Sequence, residues 1–182
     1  MKSSMRGRES SARVKPALAT VAAVEADGGS LRTTLGAFAT GVILVASDLD
    51  GKPVGLLANS FTSVSLEPPL VSLSLGSSSR TLRDLRRKAC WGLSVLAAHQ
   101  AHEFAMLSRR SDVRFEDLST ELGPGDSRLL PCSAATFVVS IESEFEAGDH
   151  RLFLLRVLTH SRRSTLLPLV FHGGKTGTLA KK

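Results

Sequence analysis

The sequence predicts a mainly β protein, a closed antiparallel barrel with a few peripheral helices. Roughly seven strand-like runs cross the chain, and turns of hairpin length join most of them. The helical segments are short and do not alternate regularly with the strands, which argues against a doubly wound parallel sheet. At 182 residues and 42% apolar side chains, the chain is long enough to bury the core of one domain.

The chain begins with a segment that differs in composition from the rest. Residues 1–30 are rich in Ser, Arg and Ala, and we predict a disordered or loosely ordered leader there, with the domain at 31–182. Ser30 is predicted to cap a short helix. The apolar residues of this helix recur at helical spacing, at Leu31, Leu35 and Phe38.

A hairpin with an unusual second strand is predicted next. The run GVILVASD indicates a buried strand, and DLDGKP, with Asp50-Gly51 at its centre, indicates a tight turn. The returning strand carries GLLANSFTSVSL, which contains one amide and four hydroxyls. A strand with one solvent-exposed face should alternate apolar and polar residues, and this run does not. Glu67-Pro68-Pro69 should then break the pairing, because proline cannot donate to a ladder.

The remaining elements follow from apolar runs and turn residues. Strands are predicted at Leu70–Leu75, Trp91–Ala97, Ala135–Glu146, Arg151–His160 and Leu166–His172. Helices are predicted at Thr81–Cys90 and Ala98–Arg109, where apolar residues recur on one face. The two longest strands are joined by Ala-Gly-Asp-His, at residues 147–150.

Composition excludes several classes of protein. The formal net charge of +6 is unevenly distributed, with a basic block at 80–114 and an acidic block at 115–149, and the chain has one Trp and no Tyr. This pattern argues against a nucleic-acid-binding surface. No apolar run reaches membrane length, and the two distant cysteines fit a reducing compartment, so we expect a soluble, cytoplasmic protein.

Common catalytic and nucleotide-binding motifs are missing from the sequence. No G-x-G-x-x-G follows a strand, and Gly174-Lys175-Thr176 lacks both the upstream glycine and the following helix of a phosphate loop. His99 and His102 stand three residues apart but lack further ligands, so we predict no metal site. No serine nucleophile elbow is present either.

A serine-rich loop before the predicted second helix has two interpretations. Ser77, Ser78 and Ser79 precede Arg80 and Thr81. Hydroxyls, a guanidinium and the amides of a helix start could together clamp a phosphate. The same residues could equally form a plain capping loop, and composition alone favours that second interpretation.

A series of short motifs, used here as landmarks, gives the chain a specific resemblance to a known family. In order, they are Phe38–Val42 (FATGV), Ala58–Ser65 (ANSFTSVS), Pro68–Val71 (PPLV), Ser79–Thr81, Arg114-Phe115 and Gly148–His150 (GDH). Over about residues 31–175 the chain resembles the flavin reductase family, the small reductase component of two-component flavin-dependent monooxygenases. The resemblance implies a Greek-key split β-barrel of the FMN-binding type.

The resemblance also implies roles for particular residues. Leu57, Ala58 and Asn59 are expected to line the isoalloxazine ring, and Ser63, Val64 and the loop Ser77–Thr81 to hold the ribityl chain and phosphate. Ser60 and Phe171 complete the implied cofactor-binding set. His150 is the implied catalytic residue, near the nicotinamide, and the segment Phe171–Lys175 is expected to close over it.

The function implied is that of an NAD(P)H:flavin oxidoreductase, with FMN or FAD as hydride acceptor and NADH or NADPH as donor. A homodimer and a separate monooxygenase partner are implied as well. Two alternatives stay open, a flavoprotein that keeps FMN and acts directly on an organic substrate, and a non-catalytic flavin-binding protein. The latter arises because the chain reads FHGGKTGTL where the family commonly carries an aromatic residue.

Overall fold

The computed structural model describes residues 27–180, so most of the predicted leader lies outside the described residues. Over this range it contains three α-helices, one short 3₁₀ helix and twelve strands. The helices are α1 Gly28–Leu35, α2 Arg80–Leu85, α3 Ala101–Leu107 and the 3₁₀ helix Pro124–Asp126. The strands are β1 Thr40–Gly41, β2 Ile43–Leu49, β3 Lys52–Ala58, β4 Thr62–Leu66, β5 Pro69–Gly76, β6 Cys90–Val95, β7 Glu121–Leu122, β8 Arg128–Leu129, β9 Ala135–Ala147, β10 His150–Arg162, β11 Leu169–His172 and β12 Lys175–Thr178. None of the helices within 27–180 has the length and apolar character needed to cross a bilayer.

A seven-stranded antiparallel sheet forms the body of the molecule, which confirms the mainly β prediction. Its strands pair in the order β3-β2-β6-β9-β10-β5-β4. Pairing between β3 and β4 would close the sheet, and no such pairing occurs within the described residues. Closure of the barrel therefore stays a prediction.

Two hairpins were predicted from local turn chemistry, and both form as expected. Asp50 and Gly51 turn β2 into β3 with positive φ angles of 54° and 81°, and the Asp48 carboxylate accepts a hydrogen bond from the Gly51 amide. The second hairpin joins β9 to β10, the two longest strands, through a turn at Gly148 and Asp149.

Several predicted boundaries were wrong, for local reasons. Asp27, not Ser30, caps α1, because its carboxylate accepts from the amides of Gly29 and Ser30. Glu67-Pro68-Pro69 does not break the pairing but turns β4 into β5, with Leu66 opposite Pro69. Pro69 is the first residue of its strand, a position where the missing N–H is tolerated.

The other differences concern the ends of elements. The predicted second strand of the first hairpin divides into β3 and β4, α2 and α3 are shorter than predicted, and the last strand becomes a hairpin of β11 and β12. Gly173 and Gly174, both with positive φ, form the turn of that hairpin. The glycine pair was the sequence signal for the turn.

The main sheet curves around one apolar core. Buried side chains from β2, β5, β6, β9, β10 and helix α2 share a single cluster. Its centre includes Trp91 and Phe153, whose rings meet edge to face at 5.1 Å, and the Trp91 indole donates to the Leu85 carbonyl. Strands from both ends of the pairing order therefore pack on the same core.

A second, smaller core covers the opposite face of β2. Leu44 and Ala46 pack there with Leu107 of α3 and Leu169 of β11. Because Ile43–Ala46 of β2 are buried on both faces of the strand, they form a continuous apolar run. The edge of this second core carries the site described below.

An ion pair ties β2 to β8 and predicts a pH dependence of stability. Arg128 donates to the Asp48 carboxylate, and this hydrogen bond lowers the pKa of Asp48 from its ordinary value. The stabilisation is present above the unfolded-state pKa and is lost as the pH falls through the lower folded-state value. We expect Asp48→Asn to cost about 1 kcal/mol in the free energy of unfolding at pH 7.

Urea unfolding of wild type and variant at several pH values checks this prediction. The difference should shrink as the pH falls below about 4, because the Asp48 carboxylate of the unfolded chain becomes protonated there before that of the folded protein. Asp112→Asn is the matched control, because Asp112 pairs with Arg110 on the exposed surface and should contribute little. A difference between wild type and Asp48→Asn that is independent of pH would contradict the assignment.

Candidate functional site

A cleft of about 370 Å³ lies along β3, at the edge of the second core. The residues that line it are Val42, Leu56, Leu57, Ala58, Asn59, Phe104, Leu107, Ser108, Arg114 and Phe171. Four of them, Leu57, Ala58, Asn59 and Phe171, are among the predicted cofactor-binding residues. The structure therefore brings together the two ends of that predicted set, which lie more than a hundred residues apart in sequence.

Strand alternation explains how β3 presents this wall. Leu57 packs toward the second core with Phe104 and Phe171, whereas Leu56 and Ala58 pack toward the first. The rings of Phe104 and Phe171 lie 6.4 Å apart at a tilt of 43°. A cleft with apolar and aromatic walls suits a flat ring system.

Asn59 ends this wall as an exposed residue just beyond β3. Within residues 27–180 its side-chain amide makes no hydrogen bond, so both its donor and its acceptor face the cleft free of protein partners. An amide in this position can donate to one ligand atom and accept from another.

The Ser60 hydroxyl makes two hydrogen bonds to the protein backbone. The hydroxyl donates to the Ser74 carbonyl at 2.8 Å and accepts from the Ser74 amide at 3.0 Å. It therefore fastens the turn between β3 and β4 to β5. A cofactor contact by Ser60 stays a prediction, with one acceptor lone pair left for it.

Ser63 and Val64 lie on β4, the last strand of the main sheet, and outside the cleft. Both are exposed, and the pairing of β4 with β5 shifts register between Ser63 and Ser65. Their predicted contact with a ribityl chain is untested.

The serine loop leads into α2, and Ser79 caps that helix by accepting a hydrogen bond from the Leu82 amide. The structure thus shows the serine loop in its capping role. Ser77 and Ser78 are exposed.

Arg80 and Thr81 line a second cleft together with Pro53, Val54, Gly55, Asp84, Ser111 and Asp112. Strand β3 therefore borders both clefts, with its first half on one and its second half on the other.

His150 begins β10 and lies beside the serine loop. It pairs with Gly76, and the carbonyl of the preceding residue, Asp149, accepts from the Ser77 amide. The Asp149 carboxylate lies 2.7 Å from the His150 Nδ1, and this hydrogen bond lowers the pKa of Asp149. The aspartate holds Nδ1, which leaves Nε2 of the half-exposed ring for a ligand.

The two groups of predicted residues are neighbours along β5. Ser60 bonds Ser74, and Ser77 follows Ser74 by three residues, about 10 Å along an extended chain. One nucleotide-sized ligand could therefore contact both the Asn59 region and the serine loop.

Arg114 is the main residue of the cleft that sequence reasoning missed. Its Nη1 donates to the Gly55 carbonyl at 2.7 Å and its Nη2 to the Arg109 carbonyl at 3.0 Å, while Nε is buried without a partner. Burial lowers the pKa of the guanidinium, which nevertheless stays charged at neutral pH. The sequence signal was the Arg114-Phe115 landmark, to which no role was assigned.

Comparison with known proteins agrees with the family resemblance of the sequence. A family model described as the flavin reductase like domain matches residues 35–180. The reductase subunit HsaB of a flavin-dependent monooxygenase from Rhodococcus jostii is 35% identical over 155 residues, which cover 85% of this chain and 80% of HsaB. A probable flavin reductase of Rhizobium meliloti is 40% identical over 132 residues, 72% of this chain, and the match spans only 42% of that relative's length.

The solved structures agree with the fold. The NADH:FAD oxidoreductase SgcE6 of Streptomyces globisporus, in complex with NAD and FAD fragments, superposes with a TM-score of 0.80 at 33% identity, covering 85% of this chain and 93% of SgcE6. The match of the family model over most of the chain, together with these relatives, shows that the chain belongs to the family of the flavin reductase like domain.

Proposed function

We propose that this protein is an NADH:flavin oxidoreductase that reduces FMN or FAD and supplies the reduced flavin to a separate flavin-dependent monooxygenase. The observation that carries the proposal is the cleft along β3, where Leu57, Ala58 and Asn59 face Phe104 and Phe171. Relatives with this domain are named FMN reductase (NADH) in Agrobacterium fabrum and NADH-dependent FAD reductase in Streptomyces globisporus.

The residues of the cleft fit a flavin ring. Apolar and aromatic side chains supply flat walls, and the free Asn59 amide can hydrogen-bond ring carbonyls and nitrogens. Arg114 adds a buried N–H with no partner among the described residues. The Asn59 amide can bind either redox state of the ring, because it is neutral and carries both a donor and an acceptor.

The protein's part in the chemistry is binding and orientation. The nicotinamide supplies a hydride that the flavin ring accepts, so no general acid or base of the hydrolase kind is required. Leu57, Phe104 and Phe171 would hold the reacting rings in an apolar setting from which water is excluded. We assign His150, held by Asp149, to the nicotinamide side.

The phosphate end is assigned to the serine loop. Ser77 and Ser78 are exposed, and Arg80 has no carboxylate partner within the described chain. Ser77 lies about 10 Å along the chain from Ser74, which the Ser60 hydroxyl contacts, and these groups, with Thr81, supply hydroxyl and guanidinium donors to a phosphate. Ser63 and Val64 are assigned to the ribityl chain.

The finer architecture is also part of the proposal. We infer a closed Greek-key split barrel, because Ala58 at the end of β3 and Phe61 just before β4 pack on the same core. We infer a homodimer, because large apolar side chains stand exposed at Phe38, Val64, Leu66 and Phe145. Unpaired cysteines at 90 and 132 support a cytoplasmic location.

Steady-state oxidation of NADH and NADPH, with FMN, FAD and riboflavin added in turn, tests the function. We expect NADH oxidation whose rate rises with added free flavin, by a protein that does not retain a stoichiometric flavin. A stoichiometric yellow protein that oxidises no NADH would identify a flavin-binding protein. NADH oxidation whose rate is independent of added flavin, and which requires an organic acceptor, would identify a flavoprotein that acts directly on that acceptor.

A further inference from the structure

Arg114 is a fixed positive charge in the wall of the apolar cleft. Two backbone carbonyls, of Gly55 on β3 and of Arg109 just after α3, hold its guanidinium from two sides. The side chain is half-buried, and its Nε has no hydrogen-bond partner within residues 27–180. A guanidinium held in this way loses little further freedom when a ligand binds beside it.

No carboxylate among residues 27–180 compensates this charge. Within the described residues, none lies at ion-pair distance from Arg114. Asp112, two residues earlier, pairs instead with Arg110 at 3.1 Å and lines the second cleft. The other residues that line Arg114's own cleft are apolar or neutral, so no opposite charge in that lining offsets the guanidinium.

We propose that Arg114 makes this cleft bind reduced flavin more tightly than oxidised flavin. The inference rests on the proposed function, in which a hydride brings two electrons and one proton from NADH to the flavin and leaves NAD⁺. The oxidised ring is neutral, so the product carries one additional negative charge. A cation in the wall of the cleft stabilises the anionic product more than the neutral substrate.

Two substitutions separate the charge of Arg114 from its structural contacts. Arg114→Lys keeps the positive charge and loses the forked geometry, whereas Arg114→Gln keeps a hydrogen-bond donor and loses the charge. Dissociation constants of FMN are measured for the oxidised form by fluorescence quenching and for the reduced form by anaerobic titration. Thermal midpoints of both variants report any loss of folding.

We expect wild type to bind reduced FMN more tightly than oxidised FMN. Arg114→Gln should weaken binding of the reduced form about tenfold more than that of the oxidised form, which is the order expected for one charge near the protein surface. Arg114→Lys should keep the preference for the reduced form, with weaker binding of both forms.

Two results would overturn the role of Arg114 and leave the proposed function intact. They are equal affinity of wild type for both redox forms, and an equal loss of both affinities in Arg114→Gln. The first needs no variant, so it stands even if Arg114→Gln fails to fold. A wild-type protein that binds neither form and oxidises no NADH would overturn the proposed function itself.

Discussion

Replacing His150 with alanine is expected to lower kcat/KM for NADH about 100-fold while the Kd for flavin stays within about threefold. His150 sits at the start of β10 beside the serine loop, with Nδ1 held 2.7 Å from the Asp149 carboxylate. Alanine removes the imidazole that Asp149 orients there. The cleft residues Leu57–Asn59 and Phe171 lie on other elements, so the flavin walls should be unchanged.

Steady-state kinetics with NADH varied at saturating FMN, together with FMN binding by fluorescence, measure the two quantities separately. His160→Ala is the matched control, since His160 is an exposed histidine ten residues further along the same strand. It should retain wild-type values of both. Equal losses of NADH use and flavin affinity in His150→Ala would place the residue in flavin binding instead.

Some local features of the fold were predictable from the sequence, and others were not. The hairpins around Asp50-Gly51 and Gly148-Asp149 were correct, because a short turn motif between apolar runs determines the local structure. The turn at Pro68-Pro69 was misjudged, since proline interrupts a ladder only where an amide is needed. The break of the second strand at Ser60 depends on a hydrogen bond to Ser74, which lies fourteen residues away.

The site was predictable to a similar extent. The run Leu57–Asn59 and Phe171 came from the family resemblance and do line one cleft. Phe104 was predicted only as part of the helix Ala98–Arg109, and Arg114 only as a landmark. Their place in the cleft depends on how α3 packs against β3, a long-range contact that hydrophobic periodicity does not encode.

Gly55 is a residue whose importance the sequence conceals, since glycine inside a strand ordinarily weakens it. It lies opposite Ala46 in the pairing of β3 with β2. A Cβ added at Gly55 would lie 2.6 Å from the Val45 carbonyl oxygen and 2.7 Å from the Ala46 Cβ. Neither atom belongs to a flexible side chain, so the two strands would have to separate.

We therefore expect Gly55→Ala to lower the free energy of unfolding by about 3 kcal/mol, the upper range for overpacking. Flavin affinity should fall as well, because the Gly55 carbonyl accepts from Arg114 and β3 borders both clefts. Urea unfolding and FMN binding measure the two effects.

Gly76→Ala on β5 is the control for Gly55→Ala. A Cβ at Gly76 meets no atom within 4 Å, so stability should stay the same or rise slightly. A Gly55→Ala protein that matches Gly76→Ala in stability would show that β3 can shift away from β2 at little cost. In that case the wall of the cleft would be adaptable. The hydrogen bond from Arg114 to the Gly55 carbonyl would then not fix the direction of the Arg114 charge toward a ligand.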